Sequence, residues 1–185
     1  MRSSTIEDRF RDYLEMPTVD KLFGVRELVL DHSDYDPYAP FWSRLVRRFG
    51  DNRFEDVVTI CQQFRTVCCL SPRFHFFWGV SAAEIGDFVT ADDAKASVHI
   101  LLNTLMKVGD GSVELPYRCT YVWDATDILQ ALGVQAMGQQ LVTKDERRFD
   151  ILRTETGEEF WFDVTDVTAA QRNLFADRPR KTLAR

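Results

Sequence analysis

Apolar residues recur three and four positions apart through the first hundred residues, then alternate at every second position, so the chain changes period once. Ile6, Phe10, Tyr13 and Leu14 predict a helix over 5–15, with Ser4 and Glu7 as a capping box. Val19, Leu22, Phe23, Val25 and Val29 predict a second over 18–30. The stretch from Asp31 to Pro40 has no period and carries two prolines, so it reads as a loop. Phe41, Trp42, Leu45, Val46 and Phe49 predict a helix over 40–49, stopped by Gly50. The next stripe is Phe54, Val57, Val58, Cys61, Phe64 and Cys68, with Asn52 and Glu55 at its start. Ser71 followed by Pro72 restarts the pattern as an N-cap with proline at the first helical position, and that helix runs to Gly86. Thr90 and Asp93 cap the last of the series, which closes before Gly109.

Beyond Gly109-Asp110-Gly111-Ser112, the residues Tyr117, Cys119, Tyr121 and Trp123 alternate with shorter or polar ones and predict a strand. Asp124 is expected to cap a short helix over 128–132, closed by Gly133. Residues 134–142 fit strand or helix equally. Phe149 and Ile151 on one arm, and Phe160, Phe162 and Val164 on the other, flank Glu155-Thr156-Gly157 as a hairpin. A last helix is expected over 168–176. The expected class is α+β: amino-terminal helical hairpins packed on a small carboxyl-terminal antiparallel sheet with a short helix. One domain over 1–185 is expected, with a helical half about 5–108 and an α+β half about 113–176.

The four helices between residues 40 and 108 form two consecutive antiparallel pairs. Gly79, Ala82, Ala83, Ala94 and Ala96 would let them approach closely. The spacing from Asn52 to Thr90 is near one period of the tetratricopeptide repeat, about 34 residues, which these hairpins resemble. The chain also resembles an uncharacterised bacterial family, a domain of unknown function. The residues that carry this are Asp34-Tyr35-Asp36-Pro37-Tyr38, the 109–112 turn, the block from Tyr117 to Gly133, Phe149 to Leu152, and Phe160 to Val164. The resemblance covers roughly residues 20 to 165 and implies helical hairpins with a small α+β half. It transfers no activity. Family members often carry an acidic-aromatic pair at the start of the short helix, where this chain has Ala125 and Thr126.

Charge and composition narrow the classes. A net charge of -6 argues against a general nucleic-acid binder, although the tail from Arg178 to Arg185 is basic. No apolar run approaches a membrane span, and the amino end has no signal-like segment, so a cytoplasmic protein without membrane insertion is expected. Cys61, Cys68, Cys69 and Cys119 form no C-x-x-C pair and read as packed thiols. No cofactor and no metal site are expected. His32 lies among Asp31, Asp34 and Asp36 but without the glycine and distal glutamate of a calcium loop. His75 reads as a surface or interface histidine and His99 as solvated. The 109–112 turn follows a helix and precedes a strand, the reverse of a phosphate loop. Asp124 and Asp127 have the i, i+3 spacing of paired acids, but helix-start charge explains both.

No nucleophile elbow, H-E-x-x-H or serine–lysine motif occurs, so the reading leans away from an enzyme and names no catalytic residue. The aromatic load, 14 Phe, 5 Tyr and 4 Trp, exceeds single stripes on two helices. Phe41 with Trp42, and Phe76 beside Phe77 and Trp78, are the candidate partner-binding residues. Helix 72–86 is apolar nearly all round and is expected to be central in the core. The function expected is a non-enzymatic module binding a protein or peptide partner through its helical-hairpin surface. The alternative is a small enzyme or ligand-binding protein with its site between the two halves.

Overall fold

The computed structural model describes the backbone of residues 5–176 and side chains to residue 170. Ser4 of the expected capping box, and the basic tail, lie outside the described residues. The elements are α1 (Ile6–Glu15), α2 (Val19–Leu30), α3 (Trp42–Gly50), α4 (Phe54–Phe64), α5 (Pro72–Glu84), α6 (Phe88–Val108), β1 (Tyr117–Arg118), α7 (Asp124–Ala131), β2 (Ala136–Lys144), β3 (Arg147–Thr154), β4 (Glu159–Asp163) and α8 (Thr165–Ala176). The fold is α+β, as the change of period implied. No helix among the described residues is long and apolar enough to cross a membrane.

The starts of α1, α2, α5 and α6 follow capping chemistry, in places one turn from where the sequence put them, whereas α3, α4 and α7 start without a side-chain cap. Thr5 caps α1 in a reciprocal box with Asp8. Ser71 Oγ accepts the Phe74 N–H at the start of α5, as expected. Helix α6 starts earlier than Thr90, because Asp87 accepts the Thr90 N–H and so takes the cap. Asn52 caps nothing: it sits at φ 56 in the turn between α3 and α4.

Helix α5 packs against α4, α6 and α7 and is central, as expected. Its crossing with α6 is close because Gly79 has no Cβ; one placed there would sit 3.1 Å from Ala94 Cβ. Ala82 and Ala94 are buried.

The sheet order is β1-β4-β3-β2. It is mixed, not antiparallel throughout. Strand β1 pairs parallel with β4, Tyr117 opposite Phe162, while β4, β3 and β2 pair antiparallel. A parallel pair needs a long crossover, and α7 with the β2–β3 hairpin supplies it. The expected strand over 117–123 is only two residues long. Its alternation is genuine burial, since Tyr117, Cys119, Tyr121 and Trp123 all lie inside, but the backbone turns at Thr120. That turn satisfies its amides on a side chain: Asp124 Oδ2 accepts the N–H groups of Thr120, at 2.6 Å, and Tyr121, at 2.9 Å. Asp124 therefore organises the preceding loop instead of capping the helix it begins.

One cluster of buried apolar residues runs from Ile6 and Tyr13 through Leu45, Phe74 and Leu101 to Ile128, Phe162 and Val167. Arg26, 6 % exposed, ties distant segments together. Its Nε donates to Thr120 Oγ1, an Nη donates to the Cys119 carbonyl at 2.7 Å, and the other lies 2.8 Å from the Asp166 carboxylate on α8.

Candidate functional site

The segment from Cys119 to Trp123 is threaded between the helical half and the sheet and pinned at several points. Tyr35 Oη donates to the Thr120 carbonyl, and the Val122 N–H to the Pro37 carbonyl at 3.2 Å. Tyr121 Oη donates to the Val67 carbonyl at 2.8 Å. The Trp123 indole N–H donates to Ser71 Oγ at 2.8 Å, the same oxygen that caps α5. These bonds set α7 beside the first turn of α5, and that placement builds a groove.

The groove has a volume of ≈ 420 Å³ and lies between α3, α5, α6 and α7. Its walls are largely apolar: Trp42 and Val46 from α3, Phe76 and Phe77 from α5, Val98 and Leu102 from α6. The Trp42 ring stacks on Trp123 with centroids 4.9 Å apart and meets Phe77 edge-on at 5.3 Å. Phe77 is wedged in turn against Phe49 at 4.7 Å. These contacts make the wall rigid. Two residues at its lip stay open to solvent, Phe76 at 53 % and Val46 at 41 % exposure.

Within the groove lies an ion pair. Arg73 Nε donates to Asp127 Oδ1 at 2.8 Å, and one Nη donates to the same oxygen. The guanidinium sits 6.0 Å from the Trp42 centroid and 5.8 Å from that of Trp123, so cation–π attraction adds to the pair. Burial raises the Asp127 carboxyl above its ordinary value, with the Arg73 bonds working against that shift. Asp127 Oδ2 is buried without a partner. Gln130 and Ala131, one turn further along α7, complete the lining. The arrangement offers a rigid aromatic slot with a neutralised charge pair at its side. Its polar side chains are Arg73, Asp127 and Gln130, which present no nucleophile beside a base.

Of the residues singled out from sequence, Trp42 and Phe76 line this groove together. Phe41 does not: it is buried, stacked on Phe64 at 3.9 Å and edge-on to Phe74 at 6.5 Å, behind the wall. Asp127, read as ordinary helix-start charge, is instead buried against Arg73. Sequence reasoning passed over Arg73, although one signal was available. A cation in the first turn of a helix opposes the macrodipole, so it needs another partner to hold it there.

His75 is also not at the surface. It is buried between Phe10 at 5.7 Å and Trp78 at 6.3 Å, with its Nε2–H donating to the Cys69 carbonyl at 2.8 Å. Helix α1 covers that face of α5, which the sequence of α5 alone does not reveal. Desolvation lowers its pKa to about 4. The four cysteines are free and buried, and burial raises their thiols. No group of three or more His, Cys, Asp or Glu side chains able to hold a metal occurs among the described residues. The 109–112 segment is a connecting turn whose Gly111 carbonyl accepts the Trp161 N–H at 2.8 Å.

No protein-family model, no curated protein and no solved structure matches this chain.

Proposed function

We propose that this chain is a non-enzymatic binding module whose groove between α3, α5, α6 and α7 captures an apolar anchor from a protein or peptide partner. The observation that carries the reading is the coincidence, in one concavity, of a rigid aromatic wall and an exposed aromatic lip at Phe76. Anchors of this kind dominate interface energies when they enter a preformed apolar slot. The volume suits one or two large side chains. Arg73 has an Nη group beyond those engaged by Asp127 and Trp123, and Gln130 has a free-standing amide; both suit a backbone carbonyl of the captured segment. In this reading α3–α4 and α5–α6 act as tetratricopeptide-like hairpins of an uncharacterised bacterial family, presenting a face to a peptide or helix. Four buried thiols suit a reducing cytoplasm.

A second reading has a specific observation in its favour. The groove is concave, contains a partly buried ion pair and lies where the two halves meet, as a small-molecule site would. Selection from a displayed peptide library separates the two. The module reading expects enrichment of peptides with an aromatic or branched aliphatic anchor, whose affinity falls about tenfold or more on Phe76→Asp while the variant keeps the far-UV circular dichroism and cooperative melt of a folded chain. No enrichment, or binding indifferent to Phe76→Asp, overturns it.

A further inference from the structure

Strand β2 is the outer strand of the sheet, hydrogen-bonded on one side only, to β3. Eight of its nine residues are exposed and Val142 is half-buried, so nothing in the described chain covers it. The sequence could not decide between strand and helix here for the same reason: with neither face buried there is no alternation to read. A free edge is a template for another strand, and sheets commonly blunt it with charge, proline or a bulge. β2 has a register irregularity between Ala136 and Gly138, and a lysine at its last position. From Gly138 to Thr143 it has neither charge nor proline. At 9 residues it offers about 30 Å of edge.

We infer that β2 is a self-association edge: two copies of this chain pair β2 antiparallel about a twofold axis at Gln140, joining their sheets into one. The sequence of the strand is self-complementary about that axis. Gln140 meets Gln140 of the second copy, amide to amide. Val142 meets Gly138, where open space surrounds the missing Cβ. Both lie on the face that carries Phe149 and Arg153, their respective partners on β3. On the other face Leu141 meets Gln139, and the two Leu141 side chains lie diagonally across the axis, at a separation long side chains bridge. Leu141 is 57 % exposed in the single chain. The pairing runs from Gly138 to Val142 of each copy, inside the register irregularity at Ala136–Gly138, and no charged residue of β2 lies within it. A twofold contact of this kind is closed and stops at two copies, because it consumes the single free edge of β2 in each copy.

Sedimentation equilibrium over a concentration series, on the full chain, tests this. The expected result is a species of twice the 21.5 kDa chain mass. Leu141→Lys, at an exposed position, should raise the dimer dissociation constant about tenfold or more while the far-UV circular dichroism of the folded chain stays unchanged. Gln140→Cys should cross-link copy to copy under mild oxidant, because directly opposed residues of an antiparallel pair lie within disulfide reach and the native cysteines are buried. A wild-type chain that stays monomeric throughout, or a dimer that survives Leu141→Lys and fails to cross-link through Gln140→Cys, overturns the inference.

Discussion

Arg73 and Asp127 bind each other across 54 positions of sequence, Nε to Oδ1 at 2.8 Å, and so hold the first turn of α5 to the first turn of α7. The two partners are buried unequally: the Arg73 side chain is 26 % exposed and that of Asp127 8 %. Removing Arg73 strands a carboxylate that cannot reach water, whereas removing Asp127 leaves a guanidinium that can. Arg73→Ala should therefore cost on the order of 3 kcal/mol and Asp127→Ala noticeably less, measured by urea unfolding at neutral pH. Equal costs would mean that the pair is solvated.

Two buried groups should shape the pH dependence in opposite directions. The Asp124 carboxyl is held up to about 7 from 3.8, chiefly by desolvation, so the unfolded chain gives up this proton first and stability falls as pH rises from about 4 to 7. His75 is held down to about 4 from 6.5, also by desolvation, so the unfolded chain takes up this proton first and stability falls as pH drops from 6.5 to about 4. Over that shared window the two slopes offset each other. Asp124→Asn should leave stability rising with pH there by up to roughly 3 kcal/mol, and His75→Gln should leave it falling by up to roughly 4 kcal/mol. Chemical denaturation from pH 4 to 7 reads both slopes. Parallel profiles for the two variants would contradict the assignment.

Adjacent phenylalanines of α5 should part company. Phe77 is braced edge-on by Trp42 and Phe49, so Phe77→Ala should cost about 3 kcal/mol in thermal or urea unfolding. Phe76 is half in water, and Phe76→Ala should cost about 1 kcal/mol or less. A similar loss at both would place Phe76 in the core and remove the lip of the groove.

Helix existence was legible because each helix carries its own apolar period. The starts slipped by up to a turn wherever two capping residues compete, as Asp87 and Thr90 do. The stretch from Tyr117 to Trp123 misled for a different reason. Its alternation reports burial, and burial is common to a strand and to a loop whose amides are satisfied from a side chain, here by Asp124. The groove was half legible: Trp42 and Phe76 were visible as surplus aromatics on their helices. Arg73 and Asp127 were not, since no local rule pairs residues 54 apart. His75 went astray because the aromatic that covers it, Phe10, belongs to another helix.

The turn between β2 and β3 places both Asp145 and Glu146 at positive φ, 50 and 64, the conformation of a type I′ hairpin. Aspartate tolerates it; glutamate has no local compensation and carries the usual cost of a left-handed residue. Glu146→Gly should raise stability by up to about 1 kcal/mol, visible as a higher denaturant midpoint at unchanged slope. A lower midpoint would show that the turn needs the glutamate side chain.

The groove walled by Trp42, Phe76 and Phe77 is proposed to hold an apolar anchor. Titrating free indole into the ¹⁵N-labelled full chain, followed by amide and indole N–H shifts, tests it with the least assumption about the partner. Saturable changes should cluster on Trp42, Arg73, Phe76, Phe77 and Gln130, and Phe76→Asp should remove them while the rest of the spectrum keeps its dispersion. Shifts that never saturate, or that gather instead around Phe10, His75 and Trp78, where α1 covers α5, would contradict it.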